Sequence, residues 1–221
     1  TNMSYDAILF DNDGVLLERT DGDRSAFEGA IRTAFREHGV SAPDETHVAD
    51  LVYGVTIPRL ESICAAYGIA VGPFWQSRDE ACSRVQCDAI RAGRKGLYTD
   101  VEALGVLEPP MGVVSTNQQL TLAFAYEHLN APSFDVVQGR PMTVESLRRK
   151  KPNAYYITKT LNALGAETTL YVGDSEHDVV AAQNAGIEAV FLWRDHNDDV
   201  SLSVSPEHEL DSLHDLGALV E

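Results

Sequence analysis

From about residue 97 onward the sequence alternates short apolar runs with amphipathic stretches, and that alternation leaves few architectures open. The runs Met111 to Val114, Phe134 to Val137, Thr169 to Val172 and Glu188 to Leu192 have the length and content of buried strands. Helical patterns fall between them at Leu120 to Leu129, Ala154 to Leu164 and Asp178 to Ala185, the last two closed by Gly165 and Gly186. Strands alternating with helices build a parallel sheet, because each right-handed crossover lays its helix over one face. Residues 6–10 (Asp-Ala-Ile-Leu-Phe) are one more such run; it ends in Asp11-Asn12-Asp13-Gly14 and reads as a strand of the same sheet entering a turn.

Between that first strand and the rest, residues 17–93 contain no convincing strand. Phe27, Ile31 and Phe35 recur every four residues, with Ser25 as N-cap and Gly39 as the stop. Leu60, Ile63, Cys64 and Tyr67 before Gly68 make a second helix, and Phe74, Trp75, Ala81, Cys82, Val85 and Ile90 a third. The expected fold is α/β: a Rossmann-like parallel sheet core with helices on both faces, built from residues 1–16 and 94–221, plus a small α-helical cap domain at 17–93. A chain of 221 residues suits such a core with one insertion.

Charge narrows the function. The net charge of −17 repels nucleic acid and anionic membrane surfaces, so neither is expected as a partner. Only four of the 17 basic residues are lysines, a skew toward arginine and carboxylate that resembles proteins of salt-loving organisms. No apolar stretch approaches the roughly 20 residues that span a bilayer, and the first residues lack a signal-peptide pattern, so a cytoplasmic location is expected. Met3, after Thr1 and Asn2, reads as the native start. Cys64, Cys82 and Cys87 have neither zinc-site nor redox-pair spacing and read as buried small apolar groups.

In an open parallel sheet, ligands bind beyond the carboxyl ends of the strands. The residues placed there are Asp11 and Asp13, then Ser115 and Thr116, then Lys151, then Asp174 and Asp178. A lone Asp-x-Asp-Gly turn is common, since turns select both residue types. A second acidic turn, Gly173-Asp174-Ser175-Glu176-His177-Asp178, makes the pair informative, although acids there also suit a helix N-terminus. Acids converging from two strand ends suit Mg²⁺, which takes carboxylate oxygens and leaves room for a substrate phosphate. The cation offsets repulsion between a carboxylate nucleophile and an anionic phosphate.

The Asp-x-Asp-Gly-Val-Leu run at 11–16 and the Gly-Asp-Ser-x-x-Asp run at 173–178 resemble the first and fourth motifs of the haloacid dehalogenase superfamily, in its branch with a helical cap after the first strand. The resemblance implies that Asp11 is the nucleophile and also touches Mg²⁺. It makes Asp13 the general acid and base, with its backbone carbonyl in the metal site. Asp174 becomes a metal ligand, and Asp178 a member of the metal set that orients the others. The second motif is a hydroxyl after the second core strand; Ser115 follows the apolar run directly, and Thr116 is the alternative. Lys151, before Pro152, matches the third. Gly14 and Asn117 are placed with the substrate-binding residues. Leu51 to Arg59 resembles a specificity loop of capped sugar-phosphate members, with Tyr53, Thr56 and Arg59 facing substrate. The resemblance thus implies a Mg²⁺-dependent phosphatase acting on a small phosphorylated metabolite through an aspartyl-phosphate, as a monomer or homodimer. A phosphomutase like β-phosphoglucomutase and a non-enzymatic scaffold keeping the fold are the alternatives. A dehalogenase needs neither Asp13 nor a metal.

Overall fold

The computed structural model describes residues 5–19 and 24–220; Met3 lies outside them. Six strands, β1 Ala7–Phe10, β2 Met111–Gln118, β3 Val136–Arg140, β4 Thr169–Gly173, β5 Glu188–Leu192 and β6 His208–Leu210, form one parallel sheet in the order β3-β2-β1-β4-β5-β6. β1 is wholly buried at the centre. Its side chains alternate between two apolar layers: Ile8 and Phe10 pack with Val113, Leu170 and Val172, while Leu9 packs with Val114, Tyr171 and Phe191 on the opposite face. A strand buried on both faces must be apolar at every position, which is why the run reads as continuous.

The helices are α1 Arg24–Glu37, α2 Glu45–Asp50, α3 Ile57–Tyr67, α4 Val71–Arg91, α5 Gln119–His128, α6 Tyr155–Leu164, α7 Glu176–Asn184 and the short α8 Gly217–Val220. Local chemistry sets their ends. Gly68 and Gly165 stop α3 and α6 in the left-handed conformation, both at φ 65°. Ser175 and Asp178 cap α7 reciprocally.

Four details depart from the sequence-based expectation. Ser25 lies within α1 rather than before it. β2 runs on to Gln118, which pairs with Arg140 after a register shift, so Ser115, Thr116 and Asn117 belong to the strand's end and not to a separate turn. β3 begins at Val136 and not at Phe134: Phe134 packs edge-on against Phe10, but the ladder starts only after Asp135 has bonded to Met111. β6 is too short and polar to betray itself by pattern.

α1 to α3 and the first half of α4 surround a separate apolar cluster that includes Phe35, Leu51, Leu60, Phe74, Trp75 and Cys82. α4 belongs to both halves of the molecule. Its second half lies along α5, with Ser83 Oγ 2.7 Å from Thr121 Oγ1, and Ile90 joins the sheet's own core. The three thiols are buried and unbridged, and burial pushes that of Cys64 up to about 11. Among the described residues, no helix is long and apolar enough to cross a membrane.

Candidate active site

The site forms where β1, β2 and β4 end. Asp11 N–H donates to Val172 O at 2.9 Å, so the strand ladder carries Asp11 to the lip of the sheet. There the chain reverses: the carbonyl of Asn12 accepts the amides of Leu16 at 2.9 Å and Leu17 at 2.8 Å. Gly14 makes this possible twice over. Its φ is +89°, and a Cβ would sit 2.0 Å from Asp174 Oδ2, so any side chain would drive the two acidic turns apart. Gly173 plays the same part on β4, where a Cβ would lie 2.2 Å from the Cβ of Asp178.

Asp11, Asp174 and Asp178 each direct a carboxylate oxygen to one point, all within 4.8 Å of one another. Lys151 enters this group from the loop before α6. Its ammonium donates to Asp11 at 2.7 Å, to Asp178 at 2.6 Å and to the Tyr171 hydroxyl at 2.7 Å. Burial opposes its charge, yet Asp11, Asp178 and Tyr171 hold it well above the usual lysine value. One buried cation does not balance three acids. Burial, with Asp178 and Asp174 alongside, lifts the Asp11 carboxyl well above the usual range despite Lys151. Burial and the Asp178 charge raise Asp174 to about 7.

The four acids are not equivalent. Asp178 gives one oxygen to Lys151 and the other to the Ser175 amide and hydroxyl, at 3.1 and 2.5 Å, which fixes its orientation. Asp174 is steered by residues after β5: His196 Nε2 lies 2.6 Å from its Oδ2, and Asn197 donates to its carbonyl at 2.8 Å. The Asp13 carboxylate points the other way. It pairs with Lys95, and accepts from the amides of Asn117 at 2.9 Å and Asn12 at 3.1 Å. Burial pushes the Asp13 carboxyl up, but Lys95 and the two amides outweigh it and leave the group below its usual value. Ser115, buried at 3% exposure, accepts from the Asn117 amide at 3.1 Å.

Next to these groups a cavity of about 430 Å³ opens between the helical segment and the sheet. Asp13, Thr116 and Asn117 form one part of its wall and Tyr53, Trp75, Arg78 and Lys150 another; Asp11, Ser115 and Asp174 stand outside the lining. Of the three residues expected in the specificity loop, Tyr53 lines the cavity, 58% exposed, while Thr56 and Arg59 do not. Thr56 caps α3 by accepting the Arg59 amide at 3.4 Å, and the Arg59 guanidinium is drawn to Asp50 at 2.6 Å. Local helix chemistry engages both, and neither belongs to the cavity wall. Lys95, His196 and Asn197 join the site without having been expected there. The rule that polar groups follow strand ends, applied to the residues after Leu192, would have found the last two.

The crowded acids predict a pH effect. An acid whose carboxyl sits higher in the folded protein than in the unfolded chain binds its proton more tightly when folded. Its contribution to stability is then lost as pH rises, for Asp174 across the interval from the ordinary 3.8 to about 7. In chelator, the melting temperature should fall between about pH 4 and about pH 7, and Asp174→Asn should flatten the slope. Equal slopes for the two proteins would contradict this.

Known proteins resemble the chain along its length. Pyrophosphatase PpaX of Halalkalibacterium halodurans is 24% identical over 223 residues, covering 97% of this chain and 96% of that protein. CbbY from Rhodobacter sphaeroides, solved with phosphate, superposes with a TM-score of 0.68 at 19% identity, covering 98% of this chain and 99% of that one. A subfamily IA hydrolase of the HAD superfamily from Geobacter sulfurreducens superposes at 0.57 with 17% identity, covering 98% of this chain and 100% of the other. The family described as haloacid dehalogenase-like hydrolase matches residues 8–192. With the sheet order and the two touching acidic turns, that match establishes that the chain belongs to the haloacid dehalogenase-like hydrolase family.

Proposed function

We propose that the chain is a Mg²⁺-dependent phosphatase that moves the phosphoryl group of a small phosphorylated metabolite to Asp11 and then to water. One observation carries the reading: three buried carboxylates share one point, and among the described residues only the buried Lys151 and the half-exposed Arg19, 3.8 Å from Asp174, stand against them. Such an excess of hard oxygen donors fits a hard divalent cation. Asp11 and Asp174 would hold it, with the Asp13 backbone carbonyl, while Asp178 keeps Lys151 and the Ser175 turn in place. When bound, Mg²⁺ supplies charge neutralisation between nucleophile and phosphate.

The chain's own residues supply the rest. Asp11 is carried on a rigid, fully buried strand, so its carboxylate is positioned before substrate arrives. Lys151 donates into the same point and is aimed at phosphoryl oxygens, where negative charge must be stabilised. Ser115 or Thr116, at the end of β2, completes that contact. Asp13 handles the proton. Ionised, as Lys95 holds it, it is ready to take a proton from the water that hydrolyses the acyl-phosphate. To protonate the leaving oxygen in the first step it must itself carry a proton, so the grip of Lys95 has to loosen when substrate enters. The helical segment is read as a cap that closes over the cavity and sets substrate choice.

The test is phosphate release from a panel of phosphorylated metabolites and pyrophosphate, with Mg²⁺ and with chelator. Release from at least one compound, lost in chelator, is the expected result. No release above the Asp11→Asn protein would return the reading to a scaffold. A phosphorylated isomer without free phosphate would mark a mutase.

A further inference from the structure

The cavity carries a charge opposite to that of the molecule. Arg19, Arg78, Lys95, Arg140 and Lys150 line it together with one carboxylate, Asp13, in a chain of net charge −17. Lys95 is accounted for by Asp13. Arg78, Arg140 and Lys150 belong to a different group, gathered around Asp79, which is completely buried. Arg140 grips Asp79 with two bonds of 2.5 and 2.9 Å, and Arg78 adds a third of 2.9 Å. The remaining guanidinium donors go to backbone, from Arg78 to Leu51 and Val52 and from Arg140 to Thr116, and Arg140 adds a contact of 3.4 Å to the Ser146 hydroxyl. Both arginines are thus fixed, and against a single carboxylate they leave one positive charge over before Lys150 is counted.

Lys150 adds a second, with donors to use. An ammonium offers three. Among the described residues its one hydrogen bond is a long contact of 3.4 Å to the Val55 carbonyl. Burial and the charges of Arg140 and Arg78 push its pKa down, as expected of a cation held beside others. An independent sign comes from Trp75, 1% exposed in the same wall, whose indole N–H has no acceptor among the described residues. Its ring lies 4.9 Å from the Arg78 guanidinium and 5.4 Å from that of Arg140. Buried donors are normally paired, and buried cations normally balanced. Lys150 and Trp75 both line one cavity wall, and an anion held there would answer its surplus of positive charge.

We infer that Lys150 and Trp75, on the fixed platform of Arg78, Asp79 and Arg140, form a subsite for a second anionic group, so that the substrate is a phosphate ester carrying a carboxylate or another phosphate. The orientation of that substrate rests on the phosphatase reading, since the transferred phosphoryl group is assigned to Asp11; the subsite itself does not. Lys150 is a specificity residue and Lys151, its neighbour, serves the reacting phosphate.

Calorimetric binding to the Asp11→Asn protein tests this without turnover. The probes are a hexose monophosphate, the matching hexose bisphosphate, and phosphoglycolate. At least one two-headed probe should bind about tenfold or more tighter than the monophosphate, and Lys150→Gln should remove most of that advantage while Lys150→Arg keeps it. A stronger bisphosphate identifies a phosphate as the second head, a stronger phosphoglycolate a carboxylate. Equal affinity for one-headed and two-headed probes, or an advantage that survives Lys150→Gln, would overturn the subsite. Because the readout is binding, failure of the wild-type protein to release phosphate would defeat the phosphatase reading alone.

Discussion

Asp11→Asn should lower turnover by at least about a thousandfold while leaving the protein folded. The substitution keeps the shape of the side chain and takes away the anionic oxygen that must bond to phosphorus. The two remaining acids and Lys151 cannot replace it: Asp178 is held by its capping bonds, and Asp174 is engaged by residues after β5. Stability should move the other way. Burial and neighbouring carboxylates make the Asp11 charge unfavourable in the metal-free folded state, so a neutral amide there relieves repulsion. Lost turnover with a melting temperature at or above that of the wild type in chelator is the combined signature. A large drop in melting temperature would mean that activity was lost through misfolding instead. Residual turnover above about a tenth of wild type would show that Asp11 is not the nucleophile.

Much of this site is legible in the sequence because it depends on strand ends. A buried parallel strand is apolar at each position, so its last residue is visible, and the polar residue that follows is placed by topology. Asp11 and Asp174 are found that way, Lys151 by its match to the third motif before Pro152, and the two acidic turns touch at Gly14. The hidden part is set by contacts between distant segments. The partner of Asp13, Lys95, is 82 residues away, and nothing local marks it beyond its being one of few lysines. Lys150 stands in a run of basic residues, Arg148 to Lys151, and nothing in that run marks it off, yet it turns into the cavity and sits beside Arg78 and Arg140 from other elements. Thr56 and Arg59 show the reverse case, since the structure leaves both outside the cavity wall. Their motif-like setting suggests substrate contact, but a helix start needs a cap and an exposed arginine finds the nearest acid, here Asp50. The extension of β2 is equally invisible, because the pairing of Gln118 with Arg140 is fixed by β3 and the buried Asp79 and not by β2's own residues.

Lys151→Ala should cost both chemistry and stability. The ammonium bonds Asp11, Asp178 and Tyr171 at once, so its removal leaves two buried carboxylates facing each other without a cation. Removing one partner from a buried charged network typically costs about 3–5 kcal/mol. For a chain of this size, that corresponds to a fall in melting temperature of roughly 6–20 °C. Lowering the pH should recover part of the loss, because protonation of Asp11, whose carboxyl burial already lifts, removes the repulsion. Turnover, measured well below the new melting temperature, should drop by about a hundredfold to a thousandfold, the scale of losing one charge-stabilising donor in a transition state. A melting temperature unchanged from the wild type would mean that the lysine does not hold the acids together. Turnover within a few fold of wild type would remove it from the phosphoryl site.

The proposed chemistry depends above all on phosphorus becoming bonded to the side chain at the end of β1. Protein quenched in acid during turnover, digested and mapped by mass spectrometry, tests this directly. The expected result is a phosphoryl group on the peptide that carries Asp11, labile to hydroxylamine as an acyl-phosphate is. A phosphoryl group on a serine, threonine or histidine would contradict it.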